Sequence, residues 1–149
     1  MSKPTTIFEL CDLVREVAYA IHIYHAHGDL EKVYENTLAH RLRKLGLDVQ
    51  QQHPLTVRDE DGTIVGTYSA DLFIDNQLII ELKAARTIAD EHVAQILGYL
   101  RAGRIEHGLL INFGSHRFQI RKFVLSDSPP PTKRGILSVL LAFFAPFCG

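Results

Sequence analysis

The stretch Asp71-Leu72-Phe73-Ile74-Asp75-Asn76-Gln77-Leu78-Ile79-Ile80-Glu81-Leu82-Lys83 decides how this chain folds. Asp75-Asn76 is a tight-turn pair, because both residue types tolerate left-handed backbone and bond to their own main chain. The residues before it, back to Thr63, are rich in β-branched and aromatic types. Leu78 to Lys83 is a short, mostly apolar run of the kind found inside a sheet. Two antiparallel strands meeting at this turn are predicted. Side chains alternate across a strand, so Asp71, Phe73 and Asp75 share one face, and Glu81 and Lys83 share a face of the neighbouring strand. If Asp71 and Glu81 point the same way, two carboxylates and an ammonium converge at the ends of adjacent strands.

Working outward, Val49 to Val57 reads as a further strand, joined to Thr63 to Ile74 through the hairpin turn Asp59-Glu60-Asp61-Gly62. Upstream, Ile7, Leu10, Val14, Val17, Ala18, Ile21 and His25 recur at three- and four-residue steps, the period of a helix with one buried stripe. Gly28 is placed to stop it. Asp29 is then placed to cap a second helix, with the stripe Leu30, Val33, Tyr34, Leu38, Leu42 and Leu45, closed by Gly46. Downstream, Val93, Ile96, Leu97 and Leu100 predict a helix from Asp90 to Arg101, ended by Gly103, before an apolar strand from Gly108 to Phe113. A strand, a helix and a strand in that order predict a right-handed crossover. A last strand, His116 to Val124, follows the Gly114-Ser115 turn. The order is ααβββαββ, an α/β (α+β) domain with a central mixed sheet flanked by helices.

With 149 residues, 46% hydrophobic and 22% charged, the chain has the size and balance of one globular domain that needs no disulfide staples. After Leu125 the composition shifts to Ser126-Asp127-Ser128-Pro129-Pro130-Pro131-Thr132. This predicts a domain over residues 1–125, a Pro-rich linker over 126–135 and an apolar tail over 136–149. The tail is shorter than the roughly 20 residues of a spanning helix, so docking on the domain or disorder is preferred to membrane contact. Cys11 and Cys148 have no paired spacing, and the N-terminus carries no secretory pattern, so a cytoplasmic setting is the expectation. The net charge of -1 advertises no polyanion partner, so any nucleic-acid contact depends on local placement of Lys and Arg.

Two carboxylates on neighbouring strands suit a hard cation such as Mg²⁺, with Mn²⁺ tolerated, because such ions take oxygen ligands and bridge to substrate phosphate. Lys83 is then placed to orient a water or to balance charge developing on phosphate. The plainer account makes Glu81 and Lys83 a surface ion pair on an edge strand, but the apolar run before Glu81 argues for an interior strand. Gln95 and Tyr99 lie four apart on one helix face with His92 nearby, placed to hold Lys83, a base or a phosphate, or simply to pack. Glu31 sits in the first turn of its helix, either favouring the dipole or serving as a further ligand. His22 and His25 lie three apart on the first helix. No third ligand completes a zinc set, so His25 is assigned to the core stripe and His22 to its rim.

Taken together, Gly28-Asp29-Leu30-Glu31-Lys32-Val33-Tyr34, the Asp71 strand, Glu81-Leu82-Lys83, Gln95-Ile96-Leu97-Gly98-Tyr99 and the strand Gly108-Leu109-Leu110-Ile111-Asn112-Phe113 resemble the GxxExxY proteins, a family within the PD-(D/E)XK nuclease superfamily. The resemblance runs from about Ile21 to Lys122. It implies a restriction-endonuclease-like αβββαβ core in which a helix Glu, a strand Asp and an ExK strand gather around a metal ion. By position those roles fall on Glu31, Asp71, Glu81 and Lys83. Gln95 and Tyr99 match the QxxxY element of recombination-associated members, where it supports the site and the DNA. Ala70 stands where the superfamily's name has proline, which removes no ligand. His22 falls where the family tends to carry a histidine before its glycine, at the edge of the site. With His92, Gln95 and Tyr99 it makes the expected substrate-binding set.

Two functions compete. One is a Mg²⁺-dependent nuclease acting on DNA, with a homodimer left open. The other is a catalytically inactive nuclease-fold module for binding or assembly, a reading that the near-neutral charge favours.

Overall fold

The computed structural model describes residues 2–126. The linker, apart from Ser126, and the apolar tail lie outside the described residues. The elements in chain order are α1 (Ile7–His25), α2 (Glu31–Lys44), β1 (Val49–Arg58), β2 (Ile64–Ile74), β3 (Leu78–Lys83), α3 (Asp90–Gly103), β4 (His107–Asn112) and β5 (Gln119–Val124). The ααβββαββ order predicted from periodicity is therefore the observed one. The sheet order is β1-β2-β3-β4-β5. Neighbours are antiparallel except β3 and β4, which run parallel with α3 between them in sequence.

Two cores lie against the sheet. Leu10, Val14, Ala18 and Ile21 of α1, with Tyr34, Leu38 and Leu42 of α2, pack on Leu72, Ile74, Leu78, Ile80, Leu82 and Ile111. Ile96, Leu97, Tyr99 and Leu100 of α3 pack with Phe73, Ile79, Leu110 and Phe123. Alternate residues of β3 enter different cores, so from Leu78 to Ile80 the strand is buried on both faces and is apolar. Each Leu or Ile buried there contributes roughly 1.5–3 kcal/mol. The charged pair Glu81 and Lys83 ends an otherwise dry strand.

One irregularity positions everything that follows. Val49 and Leu55 of β1 are six residues apart and belong on one face of a regular strand, yet they sit in different cores, as do Ala70 and Leu72 of β2. Alternation turns over where Gln52 lies across from Asp71, between the paired residues Gln51↔Leu72 and His53↔Ala70. Gln52 has φ 52, in the left-handed region that non-glycine residues seldom adopt. Beyond this point β2 is exposed from Ile64 to Ser69, so the hairpin projects as an arm.

Several local expectations are corrected. Asp29 does not cap α2: Leu30 is the N-cap, without a side-chain hydrogen bond, and the Asp29 carboxylate instead meets His25 Nδ1 at 3.1 Å. Leu30 and Val33 are exposed, because the stripe of α2 that meets the sheet is Tyr34, Glu35, Leu38, Ala39 and Leu42. The two histidines of α1 exchange roles. His22 is buried with its Nε2 2.8 Å from the Ser115 carbonyl oxygen, whereas His25 sits at the rim, where the helix ends and Ala26 turns the chain at φ 57. Gly103 remains helical and Arg104, at φ 52, makes the C-cap. No helix among the described residues is long and apolar enough to cross a membrane.

Candidate functional site

The β2 and β3 ladder pairs Ile74 with Leu78, Phe73 with Ile79 and Leu72 with Ile80, and then the two strands exchange side chains for backbone. The Asp71 amide donates to Glu81 Oε1 at 3.2 Å, and the Leu82 amide donates to Asp71 Oδ2 at 2.8 Å. Each carboxylate thus accepts from the other strand's main chain. This satisfies the amides at the point where the strands part, and it holds the two acids side by side at the base of the hairpin arm.

Glu81 is only 2% exposed. Burial, followed by the hydrogen bond and negative charge of Asp71, pushes its carboxyl up to about 9, against the smaller opposing pull of the Asp71 amide and Lys83. The repulsion between the Asp71 charge and one on Glu81 is part of that shift. A divalent cation would relieve it in the same place.

The α2 helix adds two more acids from the other side of the parted strands. Glu31 feels burial first, which raises its pKa, and then Lys83, which lowers it; the Ala84 amide hydrogen-bonds to it, and Asp71 and Glu35 add negative charge nearby. Glu35 is 3% exposed. It accepts from Lys32 Nζ at 3.0 and 2.9 Å, from Gln51 Nε2 at 3.0 Å and from Gln52 Nε2 at 3.2 Å. Gln52 Nε2 also donates to Asp71 Oδ1 at 3.2 Å, and its Oε1 accepts from Ser69 Oγ at 3.0 Å. The strained backbone of Gln52 is thus held by an amide that bridges Glu35 of α2 to Asp71 of β2.

From α3, Gln95 Nε2 donates to Tyr99 Oη at 2.9 Å. The Tyr99 hydroxyl is raised by burial first, then by the charge of Glu81. The four-residue spacing does bring Gln95 and Tyr99 together beside the acids.

His92 and His22 each make another contact. His92 Nδ1 accepts from the Ala89 amide at 3.0 Å and so caps α3. His22 holds Ser115 in the turn after β4 and packs near Phe118.

Asn112, fully buried at the end of β4, was not singled out by its pattern, although a polar residue closing an apolar run is a usable signal. Its Oδ1 accepts from the Ala85 and Gly114 amides at 3.0 and 3.1 Å, and its Nδ2 donates to the Ala85 carbonyl and Gln119 Oε1, both at 2.9 Å. The Phe113 amide donates to the Lys83 carbonyl at 2.8 Å. These bonds fix the loop that leaves Lys83. Glu35 had a signal too, being one helical turn after Glu31, whereas nothing in the pattern marks Gln52.

Among the described residues no group of three or more His, Cys, Asp or Glu is gathered as a finished ligand set. The donor chemistry nevertheless fits a hard cation, because Asp71 and Glu81 offer adjacent oxygens and Glu31 and Lys83 share the same charged neighbourhood. Two recesses, of about 470 and 440 Å³, lie at the far end of α3 around Arg104, and none of these acids lines them.

The model of a family described as PD-(D/E)XK nuclease superfamily matches residues 8–123. A crystal structure of a protein called SSO0001 aligns with a TM-score of 0.51 at 18% identity, over 61% of this chain and 48% of that one. The likeness is therefore one of fold, and the match spans about half the length of that protein. No curated protein matches the chain.

Proposed function

The chain belongs to the PD-(D/E)XK nuclease superfamily, and from that premise we propose that it is a metal-dependent nuclease hydrolysing phosphodiester bonds of nucleic acid, with DNA the first substrate to test. The observation that carries the proposal is the reciprocal exchange between Asp71 and Glu81, with Lys83 two residues further along the same strand. Asp71 and Glu81 are the residues that would hold the ion, and Glu31 would complete its shell directly or through water. A Mg²⁺ or Mn²⁺ ion bound there supplies Lewis acidity toward the scissile phosphate and offsets its negative charge.

This chain's own residues do the rest. Lys83 orients the attacking water and sets a positive charge beside the non-bridging phosphate oxygens as they gain charge. Water oxygen adds to phosphorus, the ester P–O bond opposite it breaks, and the leaving oxygen ends as a hydroxyl. Gln95 donates to the Tyr99 oxygen and leaves the Tyr99 hydroxyl proton free to face a phosphate oxygen or Glu81. Glu35 and Gln52 hold Asp71 in place without touching substrate. All these groups come from one chain, so the reading needs no second copy.

The test is cleavage of end-labelled single- and double-stranded DNA and RNA by the purified chain with Mg²⁺ or Mn²⁺. Lys83→Ala should lower the rate by about 100-fold or more. Product formed equally by Lys83→Ala would refute the assignment, and absence of any product from the parent would favour the binding module.

A further inference from the structure

The acid centre has an aromatic neighbour that its chemistry does not use. Tyr68, on the exposed arm of β2, stands 42% exposed. Its ring leans on Tyr99, with centroids 5.2 Å apart and planes at 33°. Tyr99 itself is only 9% exposed and its hydroxyl already accepts from Gln95, so Tyr68 is the ring of this pair that presents a face to solvent. Gly98 lies beneath. A Cβ at that position would be 4.0 Å from Tyr68 Cε2 and 4.0 Å from Arg101 Nη2, so an aromatic edge and a guanidinium border the same space over α3. One turn further on, Arg104 and Arg58 line a recess of about 440 Å³, together with Thr56, Asp59, Ala102 and Gly103. Leading away from the acids there is thus an aromatic face, then one arginine, then two.

We propose that Tyr68 stacks on an unpaired nucleobase while Arg101 takes an adjoining phosphate, so that the site receives its nucleic acid single-stranded or frayed at the scissile position. The inference rests on the nuclease reading for its choice of partner. Its physical basis is that both faces of a base inside a duplex are covered by its neighbours, whereas an unstacked base offers a π-face that any aromatic ring can take. A guanidinium at the adjoining position adds charge attraction that a purely apolar protein contact would not call for.

The experiment titrates the full chain, in EDTA at low salt, with a single-stranded oligonucleotide carrying 2-aminopurine and with a blunt duplex of the same sequence. The single strand should bind more tightly than the duplex and its fluorescence should be quenched. Tyr68→Ala should weaken single-strand binding by about tenfold and abolish the quench, while Tyr68→Phe keeps both. Arg101→Ala should weaken binding and make it less salt-dependent. Binding by Tyr68→Ala within twofold of the parent, equal losses for single strand and duplex, a Phe variant as poor as Ala, or no single-strand binding at all would each overturn the proposal. Lys83-dependent cleavage with binding indifferent to Tyr68 removes this inference and leaves the nuclease reading standing. Tyr68-dependent quenching by a chain that cleaves nothing does the reverse.

Discussion

Glu81 occupies a position that stability alone would not choose: nearly dry, beside a second carboxylate, and shifted toward its neutral form. Gln at 81 keeps the acceptor for the Asp71 amide and offers Asp71 a donor without the proton that Glu81 must take up on folding near neutral pH. In EDTA, Glu81→Gln should therefore raise the unfolding temperature by several degrees, about 1 kcal/mol. In Mn²⁺ the order should reverse, because the parent gains binding energy that the variant lacks. Thermal denaturation with and without Mn²⁺ checks both halves, and a variant that responds to Mn²⁺ like the parent contradicts the ligand role. A second residue, remote from the acids, sets a pH limit. His107 is held below its usual pKa by burial, with Glu106 opposing and Lys122 adding to the effect, and its Nδ1 has no partner. The folded state favours the neutral ring, so as pH falls through about 6.5 the unfolded chain takes the proton first and stability is lost. Urea titrations between pH 7.5 and 5 should show this loss, and His107→Gln should flatten it.

At the scale of elements, the end of β3 is held by the turn that follows β4. A Cβ at Gly114 would lie 2.6 Å from the Ala85 carbonyl oxygen and closer still to the Ala84–Ala85 backbone, so the two segments touch through a missing side chain. Gly114→Ala must push apart the loop that Asn112 holds, at a cost of about 1–3 kcal/mol. Cleavage should fall with it, since Lys83 ends the displaced strand. A urea midpoint unchanged from the parent would show that the loop yields freely. Helix α1 has the opposite character, with a local signature and a local result. Thr6 Oγ1 accepts from the Glu9 amide at 3.1 Å, and the Glu9 carboxylate accepts from the Thr6 amide at 3.3 Å, a capping box readable from residue types alone. Helix α2 has no such start, and placing Asp29 as its cap failed because the carboxylate found His25. Both partners of Asp29 are local, so spacing alone does not choose between them.

At the scale of the molecule, two cores are assembled among the described residues 2–126, with the Leu125 amide donating to the Glu106 carbonyl at 2.8 Å. A chain ending at Ser126 is predicted to unfold cooperatively and to keep its Mn²⁺-induced thermal shift. Loss of that shift on truncation would assign residues 127–149 a part in the site. The element order, the doubly buried β3 and the nomination of Asp71, Glu81 and Lys83 all follow from periodicity, because the two-residue repeat of a strand and the spacing of apolar side chains are local properties. The Gln95–Tyr99 contact is equally local, since a separation of four residues dictates it. The exchange of carboxylates for backbone acceptors, the left-handed Gln52 that ties Glu35 to Asp71, and the transfer of His22 from rim to core are not local. They depend on which strands part and which helix end faces the gap, and those distances span tens of residues of chain. Sequence by itself determined the order of elements and which charged residues share a strand; only tertiary packing decided which of them meet, because hydrogen-bond partners are set by the groups that folding brings within reach.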